Sequence, residues 1–572
     1  ARTALPRQQT LRAVVEWSYD LLFDDEQRVF ARLSVFAGGC SLEAAEAVCG
    51  GDDIASEDVA DLLGHLVDKS LVIADHSGRE VRYRLLQTLA LYARERLVAS
   101  DDADRVRARH ADYFAELCHR GHAAFHGVDQ ETWLTAVELD ADNLRTGLTW
   151  RIEQGHALIA QTMLGPLGWC WWFAGRADEG WRLLTASLRC PGETTAIARA
   201  WAAMWACYVG ACAGAGLEEA SKYGEEAVQL LRASPGQSIG DVTTDMLLPD
   251  GLTLLAATYG MMGRHDEAQP LYEEARLLYE QGDDPWSKAM AMNNAGQEAE
   301  HRGDIQLAYD MQRASIEWFE AARVEWALAI INGDCGVLAA RLGLVEAASE
   351  HNQAARRAAQ YLRLGGYEAV LLSRLGSLAL EAGDVDRADL LMTEALDLAE
   401  HVRFSNAEAF AHSGRAMVRR VQGRYDEAEQ SANRAVALFL TTGLPHGHAQ
   451  ALSTLGFIAQ HRGDAVTARR MHVEAMELAR RTTTLRAVAL ALDGLAGVAT
   501  LERDGVRAAS LLGAAQTIRD ADGGAPPGAD SDAPGIRRSA VELIGHEAFD
   551  AALAAGAVAS LDRVLLEPTS AG

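Results

Sequence analysis

The sequence is short of several things at once, and each shortage excludes a class of protein. Aromatic residues make up 6% and prolines number 12 in 572 residues. Ala, Leu, Glu and Arg, which lose little entropy in a helix, are abundant instead, so a mostly α protein with little strand is expected. Positive charge is scarce: 53 Lys and Arg stand against 81 Asp and Glu, a net charge of −28. Phosphate neutralisation supplies most non-specific affinity for nucleic acid, so direct nucleic-acid binding is not expected. Long apolar runs are missing, since a stretch such as Leu158 to Ala174 is broken by Gly and Pro and stays short of a membrane span. Arg2 and Arg7 precede an amphipathic segment and not an apolar core, so no signal peptide is expected in this stretch. The first residue is Ala1 and not Met, so a fragment or processed product is expected.

Cysteine is sparse and scattered. The eight stand at 40, 49, 118, 170, 190, 207, 212 and 335. Only Cys207 and Cys212 are close, at a spacing that suits no metal pair. Buried, reduced thiols and a cytoplasmic location are the expectation. Missing too are a G-x-x-x-x-G-K-[ST] loop, a nucleophile motif and a metal set. No catalytic residue, metal or cofactor of the chain's own is therefore expected. His110, Asp112 and His119 do not share one helix face and read as solvated helix residues.

What the sequence does have is a spacing. Gly263, Gly303, Gly343, Gly383, Gly423 and Gly463 recur every 40 residues; Ala268, Ala308, Ala348, Ala388, Ala428 and Ala468 follow in phase, then Ala275, Ser315, Ala355, Ala395, Ala435 and Ala475. A further column, Gly296, Gly336, Gly376 and Gly456, precedes the turn glycine. Such columns indicate stacked helix pairs of tetratricopeptide type, stretched from 34 to 40 residues, with the extra length in the second helix and its exit loop. Gly175 and Gly216 begin earlier copies and Gly505 a degenerate later one, for about nine pairs, and Ser234–Gly240 inserts a loop. The tryptophans at 169, 171, 172, 201 and 205 read as a junction core. First helices of such an array line a concave groove. Counting back from the turn glycine places Asn293, Asn294, Gln297, Glu300, His301, Asp334, Arg341, Arg374, Arg420 and His461 there, a polar lining suited to a protein, peptide or small-molecule inducer.

The N-terminal hundred residues read as four helices and one hairpin. An apolar stripe of Leu11, Val14, Val15, Tyr19 and Leu22 opens them, and Asp24-Asp-Glu26 starts the second helix,. Leu71–Asp75 and Val81–Leu85 alternate as two strands, and a helix runs from Gln87 to about Val98,. This is a winged helix. The helix before its wing, Asp58–Lys69, carries three aspartates and one lysine, which speaks against DNA reading. The expected domains are thus a winged helix over 1–100, a helical connector over 101–165, the repeat superhelix over 166–520, a flexible linker over 521–535 and terminal helices over 536–572.

The segments Leu11–Leu22, Phe30–Gly39, Leu66–Val72 and Tyr83–Leu97 resemble the winged-helix part of actinobacterial STAND-class regulators, which are P-loop ATPases related to NB-ARC proteins. The resemblance implies an upstream nucleotide-binding domain as partner, ATP or ADP bound only there, and ligand-dependent homo-oligomerisation. It implies the sensor half of a transcriptional regulator, the array binding an inducer and the winged helix relaying to the ATPase. Many relatives continue into a DNA-binding module beyond the terminal helices. Leu86 and Gln87 align with the His and Asp of a Met-His-Asp motif that contacts nucleotide. Leucine cannot donate a hydrogen bond, so direct phosphate sensing there is not expected and Leu86 reads as core. The alternative to a regulator is a stand-alone protein-interaction scaffold.

Overall fold

In the computed structural model, which describes residues 6–566 apart from 52, 78, 79, 128, 174, 175, 215, 482 and 483, the periodic glycines adopt one conformation. Gly263, Gly303, Gly343, Gly383, Gly423 and Gly463 have φ between 74° and 81°. An L-residue there strains against the preceding turn by about 1 kcal/mol, and glycine removes that cost. The next position of the column is Arg503, at φ 64°. Gly505, expected as a copy of the turn glycine, lies instead inside the helix Gly505–Ala521, where a Cβ would press on Ile544 and on the Ala540 carbonyl. Gly175, the tip of the first hairpin and the side chain of Trp172 lie outside the described residues.

Nine helix pairs follow one another among the described residues, from Ala157–Phe173 with Ala177–Arg189 to Leu485–Leu501 with Gly505–Ala521. The first helix thus starts before the expected boundary at 166. Both alanine columns, Ser315 included, are fully buried, which lets the second helix approach its neighbours closely. The first-helix glycines each face a long side chain on the second helix. A Cβ on Gly296, Gly336, Gly376 or Gly456 would come within 2.3–2.8 Å of Gln312, Asn352, Met392 or His472, respectively. The repeat with Ala416 at the glycine position carries Ala432 opposite, so volume is exchanged across the pair.

The extra length of the repeat lies in the helices, the second included as expected, and not in the exit loop. First helices such as Pro285–His301 and Glu325–Arg341 have 17 residues, and second helices such as Ile305–Ala322 and Val345–Tyr361 have 18 and 17. The exit is short: residues 323 and 324 alone join Ala322 to Glu325. A second left-handed column, Arg323, Arg363, Arg403 and Gly443, makes these tight exits. The expected loop at 234–240 leads into a small hairpin that ends at Thr243, with Ser238 opposite Thr243 and Ile239 opposite Val242. First helices Gly365–Glu381, Ser405–Val421, Pro445–His461 and Leu485–Leu501 pack on one another more closely than their second helices do, which puts the first helices on the inner side of the curve.

After the array, helices Ala533–Ile544, His546–Val558 and Leu561–Leu566 cover its last pair, burying Ala540, Phe549, Ala552 and Val564 in its core. A repeat array needs such a cap, because its final pair has no successor to cover its apolar face.

The chain divides into two compact units, one of Ala1–Phe125, Glu131–Leu167 and Thr185–Ala202, the other of His126–Gln130, Gly168–Leu184 and Ala203–Gly572. In the first, helices Pro6–Asp20, Asp24–Arg32, Leu42–Cys49 and Val59–Asp68 precede the hairpin Ile73–Asp75/Arg82–Arg84, and Gln87–Val98 follows. Ala74 pairs with Tyr83, which also bridges to Cys40 as a third edge. Val29, Phe30, Leu63 and Leu66 are fully buried. Val14, expected in the buried stripe, is exposed, whereas Val15 and Leu22 are buried. His110, expected as solvated, is buried against Phe36 and Phe114, and burial lowers its pKa to about 4.

The connector is bound into the same unit. Asn143, fully buried on helix Ala141–Glu153, accepts from the Ala37 amide at 2.7 Å and donates to the Gly39 carbonyl at 2.8 Å. Asp140 receives Arg82 of the wing at 2.7 Å. Buried Arg32 reaches Asp53 at 2.7 Å and Asp102 at 2.6 Å. A buried polar group is tolerated only when paired, and these pairings fix the connector on the turn between the second and third helices.

Candidate ligand groove

The residues predicted to line the groove separate into three groups. Asn294 is a correction. It is fully buried, and its amide pairs with Thr253 of the preceding first helix at 3.2 Å. Its position in the frame points between neighbouring pairs, so it packs and cannot meet a ligand. Asn293 and Gln297 are half-buried, and the Gln297 carbonyl meets Nδ1 of His301 at 2.8 Å. The His301 ring lies edge-on to His265, at 4.8 Å, and near Tyr272, at 5.3 Å.

The second group is Asp334 with Arg374. Arg374 donates to the Gly333 carbonyl at 3.1 Å. Burial pushes the Asp334 carboxyl up to about 6, against the pull of Arg374 and with Glu300 adding to the rise. An acid whose folded pKa is raised costs nothing below its unfolded value near 4. The cost accrues as pH rises from that value to the folded one and is complete above it. Asp334→Asn is therefore expected to stabilise the chain by about 1–2 kcal/mol near pH 8 and by almost nothing near pH 4, read from denaturation midpoints at the two pH values.

The third group, Arg341 and Arg420, meets the segment 521–535. Its Gly, Pro and Asp content predicts a flexible linker; instead it lies against the inner ends of the first helices, because its carboxylates and carbonyls match cations there. Arg341 holds Asp522 at 2.7 Å and Glu300 at 2.5 Å, and its carbonyl accepts from the Ala525 amide at 3.2 Å. Arg420, 3% exposed, donates to the carbonyls of Ala529 at 2.8 Å and Asp530 at 3.1 Å and pairs with Asp532. Its guanidinium also lies over the Phe457 ring, 5.2 Å from the centroid. His461, stacked on Tyr425, reaches the other oxygen of Asp532 at 2.9 Å. Burial alone would raise Asp532, but the His461 hydrogen bond and Arg420 hold it below the usual carboxylate range.

Three residues not anticipated from the sequence complete the surface. Arg486 pairs with Glu381 at 3.2 Å, and the charge of Asp530 raises its pKa. Arg519 holds the fully buried Asp493 at 2.9 Å, and Asp493 accepts from the Ser531 hydroxyl at 2.7 Å. The signal was present in the composition: 521–535 carries Asp522, Asp530 and Asp532 and no base, opposite arginines concentrated in an acidic chain. A void of about 30 Å³ remains beneath Pro526, Pro527 and Gly528. A larger recess of about 610 Å³ is lined by Arg356 and Leu391 of two successive second helices and by Leu375 of the first helix between them, among others. Its Arg356 is paired to Glu368 and Glu394.

Leu86 and Gln87 stand elsewhere, at the start of helix Gln87–Val98. Leu86, read as core, is 47% exposed. As the residue capping that helix it lies off the stripe of Leu89, Tyr92, Ala93 and Leu97 that is buried. No helix among the described residues is long and apolar enough to cross a membrane.

Residues 22–98 match the family model of a winged helix-turn-helix domain, and 407–481 that of a tetratricopeptide repeat. Over 179 residues the chain is 41% identical to proteins of Mycobacterium bovis and Mycobacterium tuberculosis described as HTH-type transcriptional regulators, covering 31% of this chain and 20% of theirs. The match thus spans about a fifth of these relatives' length. A second Mycobacterium tuberculosis protein, of unassigned function, is 38% identical over 117 residues, 20% of this chain and 30% of its own. Among solved structures, a Rap protein complexed with competence and sporulation factor is 13% identical with a TM-score of 0.41, covering 62% of this chain and 99% of that one. A STAND protein with a tetratricopeptide repeat sensor from Pyrococcus horikoshii is 14% identical with a TM-score of 0.34, covering 87% and 63%. The chain joins a winged helix-turn-helix domain to a tetratricopeptide-type solenoid.

Proposed function

We propose that the chain is the sensor portion of a STAND-type transcriptional regulator. The array receives a protein, peptide or small-molecule inducer on its inner face. The winged helix, with the connector fixed on it through Asn143 and Asp140, relays the change to a nucleotide-binding domain that precedes it in the parent protein. The work is done in the cytoplasm and involves no catalysis by this chain. One observation carries the reading: the inner face gathers Arg341, Arg420 and Arg486 around a non-helical segment, in a chain that is otherwise strongly acidic. Arg420 is buried and the other two are part-exposed; such arginines make a binding surface, since each needs an acceptor and takes carboxylates and carbonyls in defined directions. DNA contact by the helix before the wing is not part of the proposal. Lys69, its one lysine, is bound to Glu26 at 2.5 Å, and Asp58, Asp61 and Asp68 remain.

The test is a reporter for a promoter the parent protein controls. Removing residues 244–566 is expected to leave promoter occupancy in place while output stops following its native stimulus. A shortened regulator that still follows the stimulus refutes the assignment of the array as sensor.

A further inference from the structure

We propose that residues 521–535 are an internal stand-in for an extended acidic peptide, which the array binds at the same arginines once the segment is displaced. The inference rests on reading the inner face as the sensor surface and adds the chemistry of what it takes. The segment is read position by position. Asp522 is held by Arg341 at 2.7 Å. Asp530 lies in the field of Arg486, Ser531 donates to Asp493 at 2.7 Å, and Asp532 is shared by Arg420 and His461. The pattern recognised is acid, hydroxyl, acid, with a further acid upstream.

The main chain is read as well, which argues for a peptide over a free anion. Arg420 donates to two successive carbonyls, those of Ala529 and Asp530, and the Arg341 carbonyl takes the Ala525 amide. Inorganic phosphate offers neither group. Asp493 contributes the selectivity. A fully buried carboxylate held by Arg519 accepts a hydroxyl and would repel an acid at that place.

The segment is tethered at both ends, to the array's last second helix and to the helix Ala533–Ile544. Its effective concentration at the groove is of millimolar order or above, so a free peptide binds only if it makes better contacts or if the segment is weakened. The occupied groove is then a threshold set within the chain.

The test uses the full 572-residue chain and a labelled synthetic peptide of residues 521–535, followed by fluorescence anisotropy. The chain carrying Asp522→Asn, Asp530→Asn and Asp532→Asn is expected to bind that peptide at least about tenfold more tightly than the unaltered chain. Adding Arg420→Gln is expected to remove the gain. Equal binding to both chains, or no binding to a triple variant of unchanged helicity, overturns the proposal. If the triple variant does not fold, replacing residues 522–532 with a Gly/Ser stretch of the same length must give the same gain. Displacement of the peptide by inorganic phosphate as readily as by unlabelled peptide also overturns it, in favour of a general anion site. The reporter test above is independent. Peptide binding in a protein whose response survives loss of the array would refute the functional reading and leave the peptide site standing.

Discussion

Gly556→Ala is expected to destabilise the C-terminal cap by about 2–4 kcal/mol, more than one methyl group usually costs. Gly556 is buried on helix His546–Val558, and a Cβ there would stand 1.9 Å from the Ser510 carbonyl oxygen. Gly513 on the facing helix meets the Leu553 carbonyl in the same way, at 2.0 Å. The two helices cross on these glycines, and hydroxyls complete the contact: Ser510 donates to the Ala552 carbonyl at 3.2 Å and Thr517 to the Ala557 carbonyl at 3.0 Å. The obstacle is backbone on both sides, so no rotamer change relieves it. Separating the helices loses both hydrogen bonds and opens the core that contains Phe549 and Ala552. Chemical denaturation monitored by circular dichroism measures the loss. Ala555→Leu, an exposed position on the same helix, is expected to stay within about 0.5 kcal/mol of the unaltered chain. A Gly556→Ala variant as stable as that control would mean the crossing is looser than described.

Arg420→Ala is expected to release the segment 521–535 and to lower stability by about 2–4 kcal/mol. The substitution leaves two carbonyls without their donor and the Asp532 carboxylate, about a quarter exposed at 27%, with His461 alone. Removing one partner of a buried pair costs more than the pair contributes, because the remaining charge stays desolvated. The readout is cleavage by a protease that cuts before aspartate. Asp530 is buried in the folded chain, and cleavage there is expected to rise about tenfold or more, as the open form becomes populated. Arg424→Ala is the control, since Arg424 pairs only with Glu427 on its own helix among the described residues.

Much of the fold was legible because the repeat forces the same physical solution six times over. A turn that needs positive φ selects glycine, and a crossing without room selects alanine, so columns of each reveal helix pairs without any knowledge of their contacts. The same logic hid the exits. Arg323, Arg363 and Arg403 share the left-handed conformation, yet arginine carries no compositional mark of it, and only Gly443 in that column would have suggested a turn. Gly505 misled for the opposite reason, being small for the sake of the terminal helices and not for a turn.

The groove was legible in part. Arg341 and Arg420 stood out as long cations on first helices, and both are polar groups of the inner face. Asn294 did not belong, because counting along one helix cannot tell a side chain aimed at the groove from one aimed at the preceding pair. The segment 521–535 was read as a linker, since its glycines and prolines describe its conformational freedom and not its partners. Those partners, from Arg341 to Arg519, lie up to 181 residues away in sequence, and no local pattern records them.

The central claim is that the arginine-lined inner face is where the parent regulator receives its signal. It is tested most directly by placing Arg341→Ala and Arg420→Ala together in the full-length parent protein and following a target promoter with and without the native stimulus. The account predicts that output no longer changes with the stimulus, at protein levels matching the unaltered regulator. A full response to the stimulus from that double variant would contradict it.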